Sequence, residues 1–146
     1  LLVALVCNQA TGVTYIAERG SGAEKDGIPI QPSTTKTIDD AVLVFNGLPT
    51  GYFGWKQYRT LGSAALDLCS VADGSFDGFI DFSSGLSVWD YAGAALICNE
   101  AGAKITDNAG SSLRIPDHFS VAHSHLRLVS AGTDSLHKLL VSKSEI

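Results

Sequence analysis

Residues 89–103 read WDYAGAALICNEAGA, and this stretch decides how the chain folds. One carboxylate, Asp90, opens a run of small and apolar residues in which Ala94 and Ile97 share one helical face. Gly102 follows the run, and glycine is the residue type that most often ends a helix. The stretch therefore predicts a helix that begins at Asp90, so that a carboxylate lies at its electropositive N-terminal end.

A second helix is predicted upstream, where residues 59–69 read RTLGSAALDLC. Apolar side chains recur from Leu61 onward at helical spacing, and Asp73-Gly74 ends the pattern. This helix opens on Gly62-Ser63-Ala64, whose small side chains let a ligand approach free backbone N–H groups. The same three residues also suit a tight helix start without a ligand.

Short β-rich runs alternate with these helices. Two apolar runs, Leu1–Val6 and Gly12–Ala17, flank turn residues and predict a hairpin, and Ile28-Pro29-Ile30 predicts an edge segment. Further strands are predicted at Ala41–Phe45, Gly78–Phe82, Lys104–Thr106, Phe119–Ala122 and Leu128–Ala131, followed by a helix with Leu136, Leu139 and Leu140 on one face. The alternation predicts a layered α/β fold. Polar residues at 36–40 suggest a division into residues 1–38 and 39–146.

Composition excludes several classes of protein. The chain has 146 residues and a formal net charge of −5, so nucleic acid is an unsuitable partner. No apolar run approaches the roughly 18 residues of a membrane span, so no membrane association is expected. Three cysteines without paired spacing predict reduced thiols in a cytoplasmic protein. A chain without methionine that starts on Leu1 in a strand-like run is expected to be a fragment of a longer protein.

The two helical blocks together resemble the C-terminal half of the inositol monophosphatase family, which comprises magnesium-dependent, lithium-sensitive sugar-phosphate phosphatases. Trp89-Asp90-x-Ala92-Gly93 and Glu100-Ala101-Gly102 match the family motif, except that alanine follows Gly102 where the family has a second glycine. The resemblance implies a layered αβαβα fold, of which this chain would hold the C-terminal mixed sheet, its flanking helices and the last strands of the N-terminal sheet. It also implies hydrolysis of a phosphomonoester of inositol or a related sugar phosphate, two or three Mg²⁺ ions, and a homodimer.

Asp90 is the residue that the resemblance identifies as a metal ligand. A fixed, ionised carboxylate suits Mg²⁺, which is a hard cation that prefers oxygen ligands. Taken alone, an aspartate at a helix start is more commonly an N-cap, and the surrounding motif favours the metal role. Glu100 lies about 15 Å further along the helix, too far to share that metal, and is expected to be structural. Trp89 is expected to pack and so fix the start of the helix.

The resemblance also implies a wall that binds the substrate. Asp81, at the end of a predicted strand, would contact substrate hydroxyl groups, and Ser83 would bind from the following loop. Arg59 could hold a phosphate as a bidentate donor, and the backbone of Gly62-Ser63-Ala64 could contact the substrate. The residues alone leave plainer interpretations open: a solvent-facing Asp81, a surface or subunit-interface Arg59, and an ordinary loop serine.

Two further family motifs, Gly-Glu-Glu and Asp-Pro-x-Asp-Gly-Thr, do not occur in the chain. They would supply most metal ligands and the residue that activates water, so no catalytic residue is assigned here and they are expected upstream of Leu1. The fragment alone is therefore expected to be inactive. The histidines have no metal-ligand spacing and are assigned no metal; they are His118, His123, His125 and His137.

Two alternative functions stay open at this point. One is a fructose-1,6-bisphosphatase-like or dual-specificity phosphatase on the same fold. The other, from a different class, is a non-catalytic domain that keeps the fold for association and lacks the upstream metal motifs.

Overall fold

The described residues form two β-sheets, of which the first is antiparallel and is built by residues 3–29. The structure is a computed structural model that describes residues 1–114 and 125–145. The four strands lie in chain order and span Val3–Cys7 (β1), Thr14–Glu18 (β2), Gly22–Lys25 (β3) and Ile28–Pro29 (β4). The predicted hairpin is confirmed, with Leu5 opposite Ile16. Pro29 lies in the edge strand β4, where its missing N–H costs no ladder hydrogen bond.

The second sheet is mixed and has the strand order β6-β5-β7-β9-β8. Its strands span Val42–Asn46 (β5), Gln57–Arg59 (β6), Gly78–Asp81 (β7), Lys104–Asp107 (β8) and Leu128–Ala131 (β9). Strands β6 and β7 run parallel to β5, whereas β9 is antiparallel to both β7 and β8. The sequence does not predict β6, because its three residues are all exposed and too few to show a pattern.

Within residues 1–114 and 125–145, three helices complete the layers. Helices α1 (Ala64–Ala72) and α2 (Val88–Ala101) pack between the sheets, and α3 (Asp134–Val141) covers the other face of the second sheet. Helix α2 begins two residues earlier than predicted, because Ser87 is its N-cap. In α3, Leu136 and Leu140 are buried but Leu139 is 41% exposed, so its predicted place on the apolar face is wrong.

One apolar core runs through both sheets and the helix layer between them. It includes residues from β2, β3, α1, α2 and β7, namely Ala17, Ala23, Leu68, Ile97 and Phe79. Cys69 and Cys98 are buried free thiols in this core. Because each layer buries its face against the next, the layered α/β prediction is confirmed.

Two of the predictions made from the sequence remain predictions. The predicted strand Phe119–Ala122 lies outside the described residues, as do His118 and His123. Residues 36–40 lie between the last strand of the first sheet and the first strand of the second, and the division into two domains stays a prediction. No helix of the described residues is long and apolar enough to cross a membrane.

Candidate functional site

Three parallel strands end at one edge of the second sheet, and their last residues are Asn46, Arg59 and Asp81. From this edge the chain passes from β6 into the start of α1 and from β7 into the start of α2. In α/β proteins, ligands bind in crevices outside the carboxyl ends of the strands. The topology therefore brings the residues predicted for the site to the same edge.

Asp81 is 0% exposed, and only one of its carboxylate oxygens is satisfied. Oδ1 accepts hydrogen bonds from the backbone N–H of Ser83 at 2.8 Å and from the side-chain amide of Asn46 at 3.1 Å. Oδ2 has no hydrogen-bond partner among the residues that the structure describes. The solvent-facing interpretation of Asp81 is therefore wrong. A buried carboxylate oxygen without a donor is costly, and a ligand hydroxyl could satisfy it.

Ser83 belongs to the same hydrogen-bond network. Its Oγ accepts from the Asn46 side chain at 3.3 Å and from the Gly85 backbone N–H at 3.2 Å. Gly47 lets the two loops meet: its φ is +80°, and a Cβ there would lie 3.1 Å from the backbone carbonyl carbon of Phe82 and the amide nitrogen of Ser83. The network is thus built by two loops that leave neighbouring strands.

Asn46 is the member of this network that sequence reasoning missed. Its bond partners lie 35 and 37 positions away in the chain, so no local pattern connects them. The available signal was its position directly after the predicted buried strand Ala41–Phe45. A polar residue there lies at the strand edge where ligands gather.

Asp90 is the third residue of α2, and one of its oxygens caps the helix. Its Oδ2 accepts a hydrogen bond from the backbone N–H of Ser87 at 2.9 Å, as in a capping box. The capping role considered for this residue is therefore observed. A carboxylate has two oxygens with about four acceptor positions, so Oδ1 remains available for a cation.

Trp89, next to Asp90, is 64% exposed. The prediction that it packs to fix the start of α2 is therefore wrong. The hydrogen bond between Ser87 and Asp90 fixes the start of the helix instead. Trp89 presents its ring to solvent beside the carboxylate.

The described residues do not by themselves fit a complete magnesium site. Nowhere in residues 1–114 and 125–145 do three His, Cys, Asp or Glu side chains come together in a way that could hold a metal ion. Mg²⁺ demands near-octahedral oxygen coordination and dehydrates reluctantly, so one carboxylate holds it weakly. Asp90 can supply one ligand of such a site.

The start of α1 has the form that the sequence predicts. Gly62 has a φ of +87°, which glycine adopts without strain. Ser63 is the N-cap in an extended conformation, and its side chain makes no capping hydrogen bond. Ala64 is the first residue of the helix. Because the Ser63 hydroxyl does not accept from them, the first N–H groups of α1 can bind an oxygen of a ligand.

A cavity of about 470 Å³ lies beside the start of α1. Ser63, Ser70, Tyr15 and Lys25 are among the residues that line it. The Lys25 ammonium lies 2.6 Å from the Asp73 carboxylate, which also accepts the Tyr15 hydroxyl at 2.9 Å. This lysine is therefore already paired and ties the first sheet to the end of α1.

Arg59 is at the predicted edge but does not reach the network around Asp81. Its guanidinium donates to the carbonyl oxygen of Tyr58 at 2.7 Å and to Oε1 of Gln57 at 3.1 Å. The side chain is exposed. Arg59 is therefore a surface arginine in this structure. To hold a phosphate with both nitrogens, its guanidinium would have to give up the hydrogen bond to Gln57.

Glu100 connects the far end of α2 to the first sheet. Its Oε2 accepts from the backbone N–H of Gly22 at 3.1 Å. Backbone hydrogen bonds from Gly20 and Gly22 lower the pKa of Glu100. The expected structural role of Glu100 is supported, because the carboxylate anchors the turn between β2 and β3.

The chain has an α/β fold, and the candidate site residues lie at the carboxyl ends of its parallel strands, where ligands bind in such folds. The model of the inositol monophosphatase family matches residues 1–146, and the chain belongs to this family. Members of the family are metal-dependent phosphomonoesterases. The suspected resemblance is confirmed.

Relatives show how much of a family member the chain represents. A fructose-1,6-bisphosphatase/inositol-1-monophosphatase of Archaeoglobus fulgidus is 39% identical over 110 residues, which make up 74% of this chain and 42% of that protein. Nus factor SuhB of Escherichia coli K12 is 36% identical over an alignment of 126 residues, and the match covers 74% of this chain and 45% of that protein.

A solved structure supports the fold. A Pyrococcus horikoshii protein with similarities to inositol-1 monophosphatase superposes with a TM-score of 0.85 at 23% identity. The match covers 97% of this chain and 56% of that one. The chain thus spans about half the length of the relatives that it matches.

Proposed function

We propose that this chain contributes the substrate-binding wall and one metal ligand of a phosphatase that hydrolyses a phosphomonoester of inositol or a related sugar phosphate. The observation that carries the proposal is the buried Asp81 at the same sheet edge as Asp90, because its Oδ2 has no donor within residues 1–114 and 125–145. Polyol hydroxyl groups are donors of the kind that such an oxygen accepts. Membership of the family supports phosphoester chemistry.

Asp90 would bind a Mg²⁺ ion through Oδ1 while Oδ2 keeps its bond to Ser87. The ion, when bound, would neutralise phosphate charge, which suits an acidic protein. The other ligands and the residue that activates water would come from outside the described residues. We assign no catalytic residue to this chain.

The remaining edge residues would hold the substrate. The first N–H groups of α1, after Gly62 and Ser63, would donate to a substrate oxygen. Arg59 would exchange its bond to Gln57 for a phosphate, and Ser83 would add a hydroxyl beside Asp81. Each of these roles is part of the proposal.

The nature of the sugar is a second question. The Archaeoglobus fulgidus relative carries both activities in its name, which supports a fructose-1,6-bisphosphatase-like or dual-specificity enzyme as an alternative. Asp81→Ala should change the ratio of kcat/KM between inositol and fructose phosphates, because a hydroxyl contact depends on the polyol. Equal losses of kcat/KM on both substrates would show that Asp81 does not determine which sugar phosphate the enzyme prefers.

Asp90→Asn in the full-length gene product tests the metal role. We expect kcat to fall at least about tenfold and the Mg²⁺ concentration for half-maximal rate to rise, because the amide lacks the charge that the ion needs. The melting temperature should change little, since asparagine keeps most capping ability. Asp134→Asn, in the first turn of α3, is the matched control. A lower melting temperature with unchanged Mg²⁺ dependence would leave Asp90 as a cap alone.

The 146-residue chain by itself should show no turnover of inositol 1-phosphate above a metal-only blank. One carboxylate cannot hold Mg²⁺ in the coordination that it requires. Turnover that disappears in Asp90→Asn would contradict this expectation and show that the described residues suffice.

A role in association is the second candidate function. The Escherichia coli relative is named as a Nus factor, and Val3, Leu5 and Ile16 expose apolar side chains on one face of the first sheet. Exposed apolar patches mark interaction surfaces. The homodimer that the family resemblance implies is part of this second candidate function. Light scattering on the purified protein measures its mass, and a monomer at micromolar concentration would contradict the dimer.

A further inference from the structure

We infer that Asn46 is a positioning residue that orients the Asp81 carboxylate and leaves Oδ2 as the acceptor for a substrate hydroxyl group. The inference rests on the proposed function, in which Asp81 binds the substrate. Asn46 itself need not touch the substrate. Its role would be to fix the orientation of the carboxylate, so that the oxygen without a loop donor always points in the same direction.

The backbone places the two side chains next to each other. Asn46 and Asp81 end adjacent parallel strands and are direct partners in register. The Asn46 carbonyl oxygen also accepts the Phe82 N–H at 2.7 Å, so the pairing continues past the strand end. The amide and the carboxylate are therefore held together by the sheet rather than by a mobile loop.

Hydrogen-bond capacity explains why the amide is specific. The Asn46 side-chain nitrogen has two hydrogens, and it donates one to Asp81 Oδ1 and one to Ser83 Oγ. With the Ser83 N–H as a second donor, Oδ1 is satisfied, whereas no donor from the described part of the chain reaches Oδ2. The last torsion of aspartate is broad and nearly two-fold, so the carboxyl group can turn when one donor is lost. The Asn46 bond thus holds the plane of the carboxylate in one orientation, with one oxygen on the loop donors and the other directed away from them.

Other contacts hold the Asp81 backbone without help from Asn46. Arg127 Nε donates to the Asp81 carbonyl oxygen at 3.3 Å, and Ile80, just before it, pairs with Val129 of β9. Removing the Asn46 amide should therefore loosen the carboxylate and leave the strand in place. This separates a positioning role from a merely structural one.

The test compares two substrates in the full-length gene product. Inositol 1-phosphate offers ring hydroxyl groups to Asp81, and p-nitrophenyl phosphate offers none. Asn46→Ala should raise KM about tenfold for inositol 1-phosphate, as expected for one weakened hydrogen bond to a charged group. KM for p-nitrophenyl phosphate and the Mg²⁺ dependence should stay within about twofold. Asn99→Ala, on the exposed face of α2, is the matched control.

A double-mutant cycle tests whether Asn46 acts through Asp81. In an Asp81→Ala background, Asn46→Ala should cost nothing further, because the group that it positions is gone. If Asn46→Ala melts too low to assay, Asn46→Ser keeps one donor and should show a smaller rise in the same KM.

The outcomes separate this inference from the function on which it rests. A wild-type protein that hydrolyses neither substrate with Mg²⁺ would refute the proposed function and the inference with it. An active protein in which Asn46→Ala loses both substrates equally, or adds its full loss to that of Asp81→Ala, would overturn the inference alone.

Discussion

Asp67 and Asp81 are both fully buried carboxylates, and their surroundings are opposite. Asp81 ends a strand, and one of its oxygens accepts two hydrogen bonds. Asp67 lies in the first turn of α1, and neither of its oxygens has a partner in the described part of the chain. Burial raises the pKa of Asp67 to about 7.

The difference shows that burial alone does not make a functional carboxylate. Donors on one oxygen of Asp81 fix its orientation, so the other oxygen points in one direction and can serve recognition. Asp67 lacks such donors, and its burial only penalises the charged form. A buried carboxylate can thus be a hydrogen-bond acceptor of fixed orientation, or it can destabilise the folded protein. The hydrogen bonds that its oxygens accept distinguish the two cases.

The largest expected effect is on the stability of the protein against pH. The pKa of Asp67 rises from 3.8 to about 7 on folding. Between these values the folded protein holds a proton that the unfolded chain releases, so the free energy of unfolding falls as the pH rises. Above about pH 7 the loss is complete, at most about 4 kcal/mol. Urea denaturation from pH 4 to pH 8 measures it.

Asp67→Asn should flatten this pH dependence and stabilise the protein at pH 8 by about 1–3 kcal/mol, because the amide carries no charge to desolvate. Asp134→Asn, at the exposed start of α3, should leave the slope unchanged. An Asp67→Asn variant with the wild-type slope would show that the charge is satisfied after all, and the contrast with Asp81 would then disappear.

A smaller loss is expected when the frame around Asp81 is disturbed. Gly47→Ala should lower the free energy of unfolding by about 1–3 kcal/mol, because alanine is strained at a φ of +80° and its Cβ would press on the backbone of Phe82 and Ser83. Gly51→Ala in the same loop meets nothing within 4 Å and is the control. Denaturation curves that coincide for the two variants would mean that the loops do not meet closely.

The smallest effect should come from Ser83→Ala. This change removes the acceptor of the Asn46 and Gly85 N–H groups, which should cost about 1 kcal/mol. Ser84→Ala, the exposed neighbour, should be silent in the same thermal melts. If Ser83→Ala also leaves the melting temperature unchanged, the two hydrogen bonds that Asp81 itself accepts are sufficient to anchor it.

Local patterns predicted the parts of this molecule that depend on local chemistry. The start of α1 just after Gly62 follows from glycine conformation, and a helix near Asp90 follows from N-terminal charge, although α2 begins two residues before that aspartate. The strands follow from apolar runs. Asn46 was missed because its partners are brought to it only by the pairing of β5 with β7. The sequence did not predict that Asp67 is buried. The apolar stripe of α1 indicates a single buried face, whereas the helix lies between two sheets.

The anchor at Glu100 also constrains the length of α2. Glu100 lies ten positions after Asp90, and its carboxylate must meet the Gly22 N–H at a fixed place on the first sheet. Inserting one residue between them would rotate Glu100 by about 100° and shift it by about 1.5 Å along the axis. The helix therefore acts as a spacer of set length between the two sheets. Exchanges at its exposed positions leave this spacing unchanged, whereas insertions and deletions can be accommodated only in the loops on either side.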